Sequence, residues 1–173
     1  AKSLGYEKFL VSESPDARGI DVALFYRESE DFRYIDHESI RIPSEVYAKP
    51  TRDVLRVTFE ANGEKMTFMV NHWPSPHTAP PARNNVARFV AQKIDQLEAQ
   101  GQKVIPIGDF NVTKQDVPNP FDSFSKRNNP LVDLEANYRS WAEKNNVDTK
   151  FMPPASYYYA GDHEWSHLDR IFL

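Results

Sequence analysis

The sequence predicts a layered α/β domain (α+β under some schemes), with helices packed outside its sheets. Three observations carry this. Two alternating apolar segments flank Asn62-Gly63, the signature of a tight β-hairpin. A strand–helix–strand unit follows at once, from Lys65 to Gly108. In 173 residues, 40% hydrophobic and 13% aromatic content is enough apolar material for one core. Residues 1–173 therefore read as one domain.

Taken in order, Ile20–Arg27 is an apolar run rich in branched and aromatic residues, expected as a buried strand with Arg33–Ile42 as its exposed partner. Val54–Glu60 and Lys65–Asn71 form the hairpin arms, because Leu55, Val57 and Phe59 alternate on one arm and Met66, Phe68 and Val70 on the other. Asn-Gly accepts the positive φ values that the connecting turn demands. A helix is expected over Ala82–Gln100, where Val86, Phe89, Val90, Ile94 and Leu97 recur at three- and four-residue steps. Gly101 stands where a helix C-terminal glycine belongs. Lys103–Gly108 is a compact strand, Glu135–Asn145 a second helix, and Ser156–Tyr159 and Leu168–Leu173 closing strands. Prolines at 74, 76, 80 and 81, then at 118, 120 and 130, then at 153 and 154 mark stiff loops between these elements.

Composition excludes several classes of function. Without cysteine there is no disulfide, zinc–thiolate site or thiol nucleophile, so any metal must be a hard, oxygen-bound one. The longest apolar run, Val22–Tyr26, is far too short to span a bilayer. A net charge of −4 argues against coating a nucleic acid but leaves room for a local phosphate site.

Three clusters of chemically capable residues fall at strand ends. Gly108-Asp109-Phe110-Asn111 puts a carboxylate and an amide two residues apart, able to hold a water or a metal-bound oxygen together. The same tetrapeptide also suits an ordinary turn. Asn71-His72-Trp73-Pro74-Ser75 places a histidine at a strand edge, where it can bond or protonate a phosphoryl oxygen or simply pack. Asp169, in Ser166-His167-Leu168-Asp169-Arg170, is expected among apolar neighbours and so needs a partner, a salt bridge to Arg170 being the plain one. Tyr157-Tyr158-Tyr159 and Trp165 could stack bases or pack as edge residues, and Lys126-Arg127 could touch a phosphate or lie solvated.

The ordered set Arg18-Gly19-Ile20-Asp21-Val22-Ala23, Asn71-His72-Trp73-Pro74-Ser75, Gly108-Asp109-Phe110-Asn111 and Leu168-Asp169-Arg170-Ile171 resembles the endonuclease/exonuclease/phosphatase superfamily, from about Gly5 to Leu173. The resemblance implies two packed, mostly antiparallel sheets flanked by helices, a four-layer sandwich. It implies a divalent-metal-dependent phosphoester hydrolase, most similar to the nuclease-like phosphodiesterases, using Mg²⁺ (or Mn²⁺ or Ca²⁺) for in-line attack of water on phosphorus. Asp109 matches the aspartate that orients the water and Asn111 the amide beside it, both also offering oxygens to the metal. His72 matches a phosphate-contacting histidine, and Asp169 a carboxylate that buttresses a second histidine. Asn71 and Ser75 are expected as phosphate contacts, and Arg83, opening the long helix, could reach an anion or lie solvated at the helix start. The substrate would be a phosphoester, with a single-stranded or small nucleic acid as one option.

The family pattern also has an early Gln-Glu whose glutamate binds the metal and a late Ser-Asp-His segment. Neither occurs in residues 1–173, so the domain is expected to be partial at both ends. A non-catalytic domain binding a phosphorylated ligand or a protein partner is the alternative expectation. The sequence assigns neither oligomeric state nor localisation. No targeting segment is visible, and a secreted or periplasmic location is expected only if an N-terminal segment was removed.

Overall fold

The computed structural model describes residues 2–75, 77, 80–150, 152–161 and 163–173; Pro76, of the first proline cluster, lies outside them. The strands are β1 (Lys8–Ser12), β2 (Val22–Tyr26), β3 (Phe32–Ile40), β4 (Val54–Ala61), β5 (Glu64–His72), β6 (Lys103–Asp109), β7 (Tyr157–Tyr159), β8 (Glu164–Ser166) and β9 (Asp169–Ile171). The helices are α1 (Pro80–Glu98), α2 (Asp122–Ser125) and α3 (Leu134–Lys144). The main sheet has the order β3-β4-β5-β6-β9, and β1-β2 and β7-β8 form separate two-stranded ribbons.

The Asn62-Gly63 hairpin is present as expected. Ala61 pairs with Glu64, and the two turn residues take φ of 52° and 82°. Its inward residues Leu55, Val57 and Phe59 are sealed beneath Leu10, Leu24 and Tyr26 of the β1-β2 ribbon. The opposite face of the sheet carries α1. Val86, Val90 and Ile94 are fully buried there with Met69, Val104 and Trp73. Gly101 closes α1 at φ 78°: its N–H bonds Glu98 O, and the N–H of Gln102 bonds Leu97 O, the paired bonds of a glycine-capped helix end. Strand layers pack face to face as the sequence predicts, α1 lies outside the main sheet, and the main sheet is mixed.

Three details differ from expectation. Val22–Tyr26 is half-buried instead of fully buried, because it lies in the outer ribbon and turns Phe25 away from the sheet. Its partner is β1, a strand the sequence pattern does not announce, since Phe9-Leu10-Val11 is too short a run to show alternation. The expected strand at 33–42 is instead β3, Phe32–Ile40, which pairs with β4 as the sheet's charged edge.

Between β5 and β6 the pairing is parallel and the connection is the α1 crossover. The register sets His72 against Asp109. On the other side of β6 the antiparallel register sets Asp109 against Asp169. Three adjacent strands therefore bring His72, Asp109 and Asp169 into one row at one end of the sheet.

Candidate active site

Two close approaches fix this row. At φ 125°, Gly108 stands so near β5 that a Cβ would come within 2.2 Å of the Asn71 carbonyl oxygen, so only glycine fits there. Beyond the strands the ladder continues, with Trp73 N–H donating to Asp109 O (2.9 Å) and Phe110 N–H to Leu168 O (2.8 Å). Asn111 takes a left-handed φ of 52°, a conformation asparagine tolerates. That turn lets its backbone N–H donate to Asp109 Oδ1 at 2.8 Å. Its side-chain Nδ2 donates to the Trp73 carbonyl at 3.0 Å, which leaves Oδ1 as an available acceptor.

Trp73 is the anchor of the site. Fully buried, it meets Phe110 edge-on at 4.9 Å and donates its indole N–H to Asn71 Oδ1 at 2.9 Å. Its carbonyl also accepts from Arg52, whose Nε bonds the His72 carbonyl at 3.1 Å. Arg52 is itself buried and held by Asp16, and Asp16 grips the mostly exposed Arg18 through both oxygens. The hydrogen-bonded Arg18 guanidinium, foremost, holds the Asp16 carboxyl well below the usual carboxylate range.

Around this row lies a cleft of about 400 Å³ lined by Arg18, Arg52, His72, Ser75, Asp109 and Asn111, with Tyr157 and Tyr159 on its rim. His72 Nε2 is 3.7 Å from Asp109 Oδ2. Burial, then the cations Arg52 and Arg18, push the His72 imidazole down to about 4, so near pH 7 it is neutral. Burial and the negative charge of Asp169 push Asp109 up, against the opposing bond from the Asn111 N–H.

The sequence-predicted residues divide at this point. His72, Asp109, Asn111 and Ser75 meet in the cleft. Asp169 joins the row from the open edge of the sheet; it is exposed instead of set among apolar neighbours, and Arg170 pairs with Asp133. Asn71 does not reach the cleft as a phosphate contact: it is buried, with Nδ2 on Met69 O and Oδ1 on the Trp73 indole. Arg83 likewise serves elsewhere, as a buried strut on Asp116 with Nη1 on Ser75 O. Lys126 and Arg127 pair with Asp122 and with Asp95 and Glu98. Arg18, Arg52 and His77 line the cleft without having been singled out. Arg18 opens the Arg18–Ala23 motif, whereas Arg52 carries no local signal.

Asp109 and Asn111 can together hold a hard divalent cation in the sparse mode Mg²⁺ accepts, one or two side chains with water and substrate phosphate completing the shell. Among the described residues, no group of three or more His, Asp or Glu side chains adds to them.

Comparison with known proteins decides the family. A family model described as the Endonuclease/Exonuclease/phosphatase family matches residues 2–171. The chain belongs to that family. Endonuclease/exonuclease/phosphatase neighbours share its fold at low identity. The human Nocturnin catalytic domain with bound sulfate anion is 19% identical at a TM-score of 0.68, over 99% of this chain and 61% of that one. D. rerio TDP2, complexed with single strand DNA product, is 19% identical at 0.67, over 99% and 62%. The mannosyl-6-phosphatase of Bacteroides thetaiotaomicron is 19% identical at 0.59, over 95% and 61%. The chain thus spans under two thirds of these family members. No curated protein matches it in sequence. Among the described residues no helix is long and apolar enough to cross a membrane.

Proposed function

We propose that the cleft hydrolyses a phosphoester by in-line attack of water on phosphorus, as a nuclease-like phosphodiesterase. The observation that carries this reading is the row of His72 and Asp109 at the paired ends of β5 and β6, with the Arg18 cation beside it. Asp109 and Asn111 Oδ1 are two acceptors on one turn, suited to orient a water, and the Asp109 carboxylate can draw off its proton. His72, neutral near pH 7, donates a hydrogen bond from its ring N–H to a phosphoryl oxygen. Neutral at the working pH, it positions phosphate more than it supplies protons. Arg18 Nη and Nε, already fixed on Asp16, add positive potential without ordering cost at binding.

A divalent cation held by Asp109 and Asn111, Mg²⁺ or else Mn²⁺ or Ca²⁺, would supply Lewis-acid stabilisation of the phosphoryl charge. Support for the phosphodiester branch comes from the Asn71-to-Ser75 motif and from a neighbour solved with a single-stranded DNA product.

The test is a panel of single-stranded DNA, duplex DNA, an inositol phosphate and sphingomyelin, each assayed with Mg²⁺, Mn²⁺, Ca²⁺ and EDTA. Cation-dependent hydrolysis of the single-stranded DNA, lost in Asp109→Asn, is the expected result. Failure on every substrate, or full activity in EDTA, would overturn the proposal.

A further inference from the structure

The rim of the cleft facing His72 is the β7-β8 ribbon, which carries three tyrosines in a row. Alternation along a strand sends Tyr158 to one face and Tyr157 and Tyr159 to the other. On its outer face Tyr158 meets Trp165 at 5.2 Å and bonds His163 Nδ1 at 3.0 Å. On the inner face Tyr157 and Tyr159 line the cleft with His72 and Asp109, 46% and 49% exposed, and neither meets another ring among the described residues.

Two contacts accompany these rings. Glu164 of β8 is ion-paired to Lys114, in the loop that follows Asn111, so the ribbon is tied to the segment bearing the reactive groups. Tyr159 lies over Gly161 so closely that a Cβ on that glycine would come within 2.8 Å of the ring. Residues i and i+2 share one face of a strand, so both rings are presented to the same cleft.

We infer that Tyr157 and Tyr159 are specificity-determining residues that stack on an unpaired base, so that the cleft selects single-stranded nucleic acid. This rests on reading the cleft as a phosphoester site. Stacking is indifferent to which base is present, since each has a flat face. An acyl chain offers no such face, and in a duplex the bases already stack on one another. The net charge of −4 leaves little general affinity for phosphate backbone, so base contact has to supply much of the binding.

The test separates binding from turnover. In EDTA, the intact protein is titrated by intrinsic fluorescence with hexathymidylate and with an abasic hexamer of equal phosphate count. Hexathymidylate is expected to bind about 5- to 150-fold more tightly per stacked base. Tyr157→Ala and Tyr159→Ala should each erode that preference, while Tyr157→Phe and Tyr159→Phe keep it. Equal affinity for the two hexamers, no measurable binding of either, or Phe variants as impaired as Ala variants would overturn the inference. Base-selective binding without hydrolysis of any phosphoester leaves the ribbon's role standing and removes the proposed reaction. Hydrolysis of a glycerophosphodiester as fast as a dinucleotide, with no base preference in binding, does the reverse.

Discussion

Replacing Arg83 by Met tests whether this residue is a strut or a phosphate contact. The Asp116 side chain is completely shielded from water, and its Oδ1 accepts from Arg83 Nε at 3.0 Å and Nη2 at 2.5 Å. Its Oδ2 takes the Thr113 N–H at 2.9 Å. Without the guanidinium, a carboxylate would be left buried with the Thr113 donors as its main support. Breaking a buried pair from one side costs about 3–5 kcal/mol. For a domain of this size, where 1 kcal/mol moves the melting temperature by about 2–4 °C, Arg83→Met should melt roughly 6–20 °C lower. Thermal unfolding followed by circular dichroism at pH 7 reads this directly. The double variant Arg83→Met/Asp116→Leu should recover most of the loss, because no charge then remains buried. If instead Arg83→Met melts within about 2 °C of the parent, a shift typical of surface changes, and binds substrate more weakly, the strut is refuted and the phosphate contact restored.

Other outcomes follow from the same contacts. Asp109→Ala should lower hydrolysis by roughly a hundredfold or more, with unchanged circular dichroism; retained activity would remove Asp109 from the reaction. Gly108→Ala should cost about 2–5 kcal/mol in urea unfolding, from positive φ plus collision with the Asn71 carbonyl. The His72 imidazole, held at about 4, stays neutral while the unfolded chain takes up a proton below about 6.5. Stability should therefore fall as pH drops from about 6.5 to 4, by up to about 3 kcal/mol from this residue. Urea midpoints at several pH values should show a shallower fall in His72→Asn. His72→Ala should lower turnover while leaving cation affinity nearly unchanged.

Much of the fold was legible because its signals are local. Asn62-Gly63 carries its turn in two residues, α1 shows its face at three- and four-residue steps, and Gly101 marks its end. β1 was not legible: its one inward contact residue, Leu10, gives no pattern until β2 lies alongside. The site follows the same division. His72, Asp109 and Asn111 sit at strand ends the sequence marks. Arg83 takes its role from Asp116, 33 residues further on, a partner no local motif records, while Asn71 is claimed by the indole of Trp73 two residues on, a pairing that appears only once Trp73 is buried.

The parallel pairing of β5 and β6 has a mechanical consequence. Had β6, seven residues long, returned antiparallel, Asp109 would lie about 20 Å from His72, at the far end of the sheet. What prevents this is α1, whose 19 residues extend about 28 Å, close to the length of the nine-residue β5. The helix acts as a ruler that returns the chain to its starting line, so its length is under tighter constraint than its outward-facing residues. The turn at Asn62-Gly63 and the bend at Gly101 lie at the opposite end, a strand's length from the reacting groups. Insertions should therefore be absorbed there, whereas two turns removed from α1, about 11 Å, would draw Asp109 out of line with His72.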